Sequence, residues 1–212
     1  MKVEEQLTLR ADIYLMLSAL YRQCPTVDLV QFLADLEIEN APSEMQSAWR
    51  ALKQAALDVN ASELEDEYHE LFIGIGRGEA VPFASWHRTG SLMEKPLANI
   101  RHDLKLLGLE REDSVKEPED HISALCEVMA VLVREQDAQQ QHFFNTHISP
   151  WFTSFVHQVK RAQHARFYLS VAQLCEAFLT LEQVRFSAKV KGGKAHSSID
   201  VKNAAEYEQT QR

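Results

Sequence analysis

The sequence predicts an all-α helical bundle. Apolar residues recur at spacings of three and four through most of its 212 residues, and glycine (7) and proline (6) are scarce. No alternating run is long enough to read as a strand. Leu7, Ala11, Tyr14, Leu17 and Tyr21 form the first stripe, and Cys24-Pro25 stops it. Thr26 caps the next helix, which carries Leu29, Val30, Leu33 and Leu36. Ser43 with Gln46, and Ser62 with Glu65, each read as a capping box opening a further helix. The second of these places Leu64, Tyr68, Leu71 and Phe72 on one face.

Gly74, Gly76 and Gly78 then open a loop that runs through Val81-Pro82-Phe83-Ala84-Ser85-Trp86. Helical spacing returns from Leu92 to Leu107, and Gly108 closes it as a C-terminal cap. Pro118 is placed as the first residue of the following helix, Ser149-Pro150 opens another, and a last one spans about Arg166 to Arg185. The expected organisation is a helical half over 1–108, a polar hinge over 109–117, a second helical half over 118–186 and a polar tail over 187–212, with a short helix near Ala204–Glu208.

Composition narrows the function. A net charge of −9 argues against nucleic acid and for a basic partner. The acids crowd between Asp35 and Glu79, where the bland reading is a solvated helix face. Cys24, Cys126 and Cys175 form no CxxC, so neither a disulfide framework nor a zinc site is expected. The nine histidines include no HExxH, and His142 and His147 lack cysteine partners, so no metal is expected. The start of the chain does not read as a signal peptide, and no apolar run approaches a membrane span, so a cytoplasmic location is expected. Gly74-Ile75-Gly76-Arg77-Gly78 matches no phosphate-binding loop.

Two stretches stand out: Tyr68-His69-Glu70-Leu71-Phe72-Ile73-Gly74-Ile75-Gly76 with the Pro82-Phe83-Ala84-Ser85-Trp86 loop, and Glu117-Pro118-Glu119-Asp120-His121. In order and spacing they resemble the signature of the TorD/DmsD/NarJ family of redox-enzyme maturation chaperones, with the TorD branch nearest in length and motif spelling. That family shows an aromatic-x-x-Leu-Phe-x-Gly segment, a Pro-aromatic-x-Ser loop and a Glu-Pro-x-Asp-His motif. The resemblance runs from about Leu7 to Phe186 and includes Pro150-Trp151, Phe155 and Phe167-Tyr168.

The resemblance implies a helical chaperone that is not an enzyme and holds no cofactor, although GTP binding has been attributed to some relatives. It implies as partner a molybdoenzyme precursor with a twin-arginine signal peptide, bound before export while the molybdenum cofactor is inserted. The client suggested is a trimethylamine N-oxide reductase. The alternative is a dimethyl sulfoxide reductase or formate dehydrogenase gripped by its mature part. The hinge also allows a domain-swapped homodimer beside the monomer.

The residues offer two readings. Tyr68, Leu71, Phe72, Pro82, Phe83, Ser85 and Trp86 suit a groove for an apolar peptide, with Glu117, Asp120 and His121 meeting its basic part and Asp120 the leading candidate. Equally, Tyr68, Leu71 and Phe72 suit a core stripe, and Glu117, Glu119 and Asp120 suit a helix N-terminus, with His121 packed beneath. A remote third reading makes Asp120-His121 the acid/base pair of a small hydrolase, but no nucleophile or metal completes it.

Overall fold

In the computed structural model, which describes residues 2–39, 41–74 and 78–187 (side chains from Leu7 onward), helix α1 (Lys2–Arg22) ends just before Cys24-Pro25. Short polar side chains start the next three helices. Thr26 accepts the Leu29 N–H at 3.3 Å to open α2 (Val27–Asp35). Ser43 accepts the Gln46 N–H at 3.2 Å to open α3 (Glu44–Asp58). The return bond of a capping box is diverted, since Gln46 Oε1 takes the Ala41 N–H at 2.7 Å. α4 (Ala61–Tyr68) opens on Asn60, which accepts the Glu63 N–H at 2.9 Å, and not on Ser62 as expected. Asparagine is a strong cap, and once it starts the helix Ser62 lies inside the first turn.

α4 runs on into a π-helical turn (His69–Ile73) that stops at Gly74, φ +48°. The returning chain lies hard against this turn, with the Glu79 and Ala80 N–H groups donating to the Glu70 and Leu71 carbonyls at 3.1 and 2.8 Å. A Cβ on Gly78 would sit 2.3 Å from the Leu71 oxygen, so glycine is required there. α5 (Ala84–Thr89) occupies part of the stretch expected to be loop. α6 (Lys95–Leu106) is followed by Gly108 at φ +68°, the anticipated left-handed stop.

α7 (Ile122–Arg134) begins four residues after Pro118, because Pro118 to His121 closes a turn, with the His121 N–H on the Pro118 carbonyl at 3.1 Å, and His121 itself is held extended by bonds described below. α8 (Gln140–Phe143) and a second π-helical turn (Phe144–Ile148) precede α9 (Phe152–Arg161), which starts on Trp151 rather than at Ser149-Pro150. α10 (Phe167–Ser187) is the last described element, so the tail beyond Ser187 and the short helix near Ala204–Glu208 lie outside the described residues. No helix among the described residues is long and apolar enough to cross a membrane.

The halves on either side of 109–117 do not form separate cores. α1 packs along α7, while α10 packs on α3, α9 and α1. One apolar cluster therefore joins Tyr14, Leu17 and Leu20 of α1 to Leu125 and Met129 of α7 and to Val171 and Leu174 of α10. The hinge divides the sequence but not the core, because the stripes of α1 and α3 are covered by helices from beyond it.

A buried ion pair adds register to this packing. Arg10 of α1 donates to both carboxylate oxygens of Glu182 of α10, at 3.0 and 2.6 Å, and the Tyr14 hydroxyl donates to Glu182 at 3.1 Å. Cys126 and Cys175 are fully buried in the same core and act as small apolar side chains.

Candidate functional site

The two motifs meet, and they meet through their backbones. The Ala84 N–H donates to the Asp120 carbonyl at 2.9 Å and the Ile122 N–H to the Pro82 carbonyl at 2.8 Å, pairing Phe83 with His121 in an isolated antiparallel bridge. The Phe83 ring stands edge-on to the His121 ring with centroids 5.0 Å apart. Asp120 Oδ2 then accepts the Ser85 N–H at 2.9 Å. A carboxylate from beyond the hinge therefore caps α5, which is why Ala84–Thr89 turns helical where the local sequence reads as loop.

His121 is the N-cap of its own helix. Its Nδ1 accepts the Ser123 N–H at 3.1 Å and lies 2.7 Å from the Ser123 hydroxyl. An Nδ1 that accepts the amide carries no proton. Burial, with Arg22 adding a smaller repulsion, holds the His121 pKa down to about 3.

This geometry corrects part of the peptide-binding assignment. Tyr68, Leu71, Pro82, Ser85, Asp120 and His121 are buried, and of the ten candidates only Phe72, Phe83, Trp86 and Glu117 reach the surface. Asp120 is 1% exposed and committed to Ser85, so it is unavailable to a basic peptide. Tyr68 donates to the Tyr21 carbonyl at 3.3 Å within a cluster of rings that includes Phe72 and Tyr168. Asp120 and His121 bond to different partners, which leaves the hydrolase reading without its acid/base pair.

A cleft opens on the other side of the Pro118 segment. It encloses about 280 Å³ between the end of α1, the end of α6, residues 109–119 and α7. Its floor includes Leu104, Leu109, Val115, Val128 and Val131, and its rim carries Glu110, Glu112, Glu117, Glu119 and Glu127 against Arg22 and Arg111. Glu119 takes one guanidinium on each oxygen, Arg101 Nε at 2.9 Å and Arg111 Nε at 3.2 Å. Burial alone would raise the Glu119 carboxyl; its own backbone N–H and the Arg101 and Arg111 guanidiniums overcome that and hold it below the usual range. Arg22 pairs with Glu127 at the α1–α7 wall, and Arg111 also donates to the Val115 carbonyl. An apolar floor with an acidic rim suits an amphipathic segment carrying arginine.

A wider depression of about 790 Å³ lies between α3, α4 and the start of α10. Asp58, Glu63, Asp66 and Glu70 border it, as a solvated acidic face should. Glu67 departs from that expectation: it is 6% exposed and accepts the Arg166, Phe167 and Tyr168 N–H groups at 2.7, 3.0 and 2.8 Å. It caps α10 from ninety-nine residues away, and only its apolar neighbours Leu64 and Tyr68 hinted that it faces inward. His142 of α8 and His147 of the second π-helical turn, expected to lack cysteine partners, both approach Asp103 Oδ2, at 3.4 and 2.7 Å, and tie their elements to α6. No group of three or more metal-ligating side chains forms among the described residues.

The described residues thus form ten α-helices around one core, with an acidic, apolar-floored cleft beside the Pro118 segment. Residues 38–157 match the family described as nitrate reductase delta subunit. The chain belongs to that family, the TorD/NarJ group of redox-enzyme maturation chaperones. It is 27% identical over 199 residues to a protein named chaperone TorD from Vibrio parahaemolyticus, spanning 82% of this chain and 92% of that one. A chaperone TorD from Psychrobacter sp. is also 27% identical, over 75% of this chain and 81% of its own. Among solved structures, a redox enzyme maturation protein from Archaeoglobus fulgidus shares the fold at a TM-score of 0.53 and 20% identity, covering 82% of this chain and 93% of its own. The protein is thus a TorD-like chaperone and not an enzyme.

Proposed function

We propose that this chaperone acts in the cytoplasm on the precursor of a molybdoenzyme, of the trimethylamine N-oxide reductase kind, by holding its twin-arginine signal peptide. The apolar part of the peptide lies on the cleft floor and its arginines face the glutamate rim. Covered in this way, the precursor stays out of the export route until its molybdenum cofactor is inserted. The observation that carries the reading is the cleft itself, where five carboxylates outnumber the three guanidiniums paired with them around an apolar floor. Apolar burial supplies most of the affinity, at roughly 25 cal/mol per Å² before ordering costs. The surplus charge speeds encounter with a basic peptide and weakens as salt rises.

Calorimetric titration with twin-arginine signal peptides from several molybdoenzymes, at two salt concentrations, tests this reading. Binding that weakens with salt and favours one client's peptide supports it. Binding of none refutes it. Full binding of a precursor that lacks its signal peptide would favour a grip on the mature client instead.

A further inference from the structure

We propose that Arg111 occupies, within the free protein, the guanidinium site at Glu119 that a client arginine takes over. The inference rests on the signal-peptide reading above and names the contact by which that peptide is recognised. Glu119 differs from the other rim carboxylates. Its side chain is 12% exposed, whereas Glu110, Glu112, Glu117 and Glu127 are all exposed.

Glu119 is already a working guanidinium receptor. Oxygen Oε2 is held by Arg101, anchored on helix α6, and Oε1 is held by Arg111. Arg111 belongs to the helix-free 109–117 segment, and its only other bond among the described residues is to Val115 of that same segment. Releasing it therefore disturbs no helix. Swapping one guanidinium for another leaves the charge on Glu119 compensated, so a partly buried carboxylate is never exposed unpaired.

The receptor geometry selects arginine over lysine. Arg111 spans two acceptors at once, Nε on Glu119 Oε1 and Nη1 on the Val115 carbonyl, and a client guanidinium with its separated donors reproduces that span better than the point charge of an ammonium. Arg22 on Glu127 offers a second site of the same chemistry at the α1–α7 wall of the cleft.

The test is fluorescence anisotropy with a labelled twin-arginine peptide and its twin-lysine counterpart, on the full chain. Arg111→Ala removes the internal competitor at an exposed position, and Arg161→Ala, outside the cleft, makes the same charge change. Arg111→Ala is expected to bind the arginine peptide about two- to fivefold more tightly, the range an exposed ion pair allows, with a smaller gain for the lysine peptide. Arg161→Ala is expected to match wild type. Unchanged or weaker binding by Arg111→Ala, or an equal gain in Arg161→Ala, overturns the proposal while leaving signal-peptide binding intact. Binding of neither peptide by any of the three proteins removes both.

Discussion

Acid should unfold this protein partly through His121, and the size of the effect follows from the structure. The ring is buried, caps α7 through an unprotonated Nδ1, and has a native pKa of about 3 against 6.5 for an ordinary histidine. As pH falls through 6.5 the unfolded chain takes up a proton that the native chain refuses. Stability present above pH 6.5 is therefore withdrawn between there and about pH 3. At pH 5 the unfolded form lies 1.5 units below its midpoint, which at 1.36 kcal/mol per unit costs about 2 kcal/mol. Urea unfolding at pH 7 and pH 5, on wild type and His121→Asn, isolates this share. Asparagine keeps a capping oxygen but does not titrate. The variant should lose about 2 kcal/mol less than wild type between the two pH values. His87 and His147, also held below the usual histidine range by burial, contribute alike to both proteins and cancel. Equal losses in the two proteins would refute the buried, neutral cap.

Two further substitutions probe contacts that no local reading of the chain supplies. Glu67→Ala strips three N–H bonds from the start of α10 and should cost about 2 kcal/mol, moving the urea midpoint down by about 1 M, with Glu67→Gln recovering part of it. A midpoint unchanged in Glu67→Ala would mean the carboxylate is solvated after all. Arg10→Ala leaves Glu182 buried with less compensation and should cost about 3 kcal/mol in thermal or urea unfolding. The double variant Arg10→Met/Glu182→Leu should regain most of that loss; a double variant less stable than Arg10→Ala would show that the pair itself, not its completeness, supports the α1–α10 contact.

Helix identity was readable from the chain because it depends on neighbours three and four residues apart. The Tyr14–Leu17–Tyr21 stripe, the Thr26 and Ser43 caps and the Gly108 stop all act within one or two turns, and all appear in the fold. The family motifs were readable for a related reason, being short and ordered along the chain. What those motif residues do was not readable. Asp120 reads as a free acid at a helix start, and only tertiary structure brings the Ser85 amide 2.9 Å from it. Glu67 sits in an acidic run that resembles a solvated face, yet its partners lie at Arg166, Phe167 and Tyr168. The cleft is likewise a product of long-range packing, since its walls come from α1, α6 and α7 and from the segment that the sequence marks only as a hinge. Local spacing decides which backbone groups a helix satisfies for itself. Which carboxylate is left for a partner depends on contacts that form only when distant segments share one core.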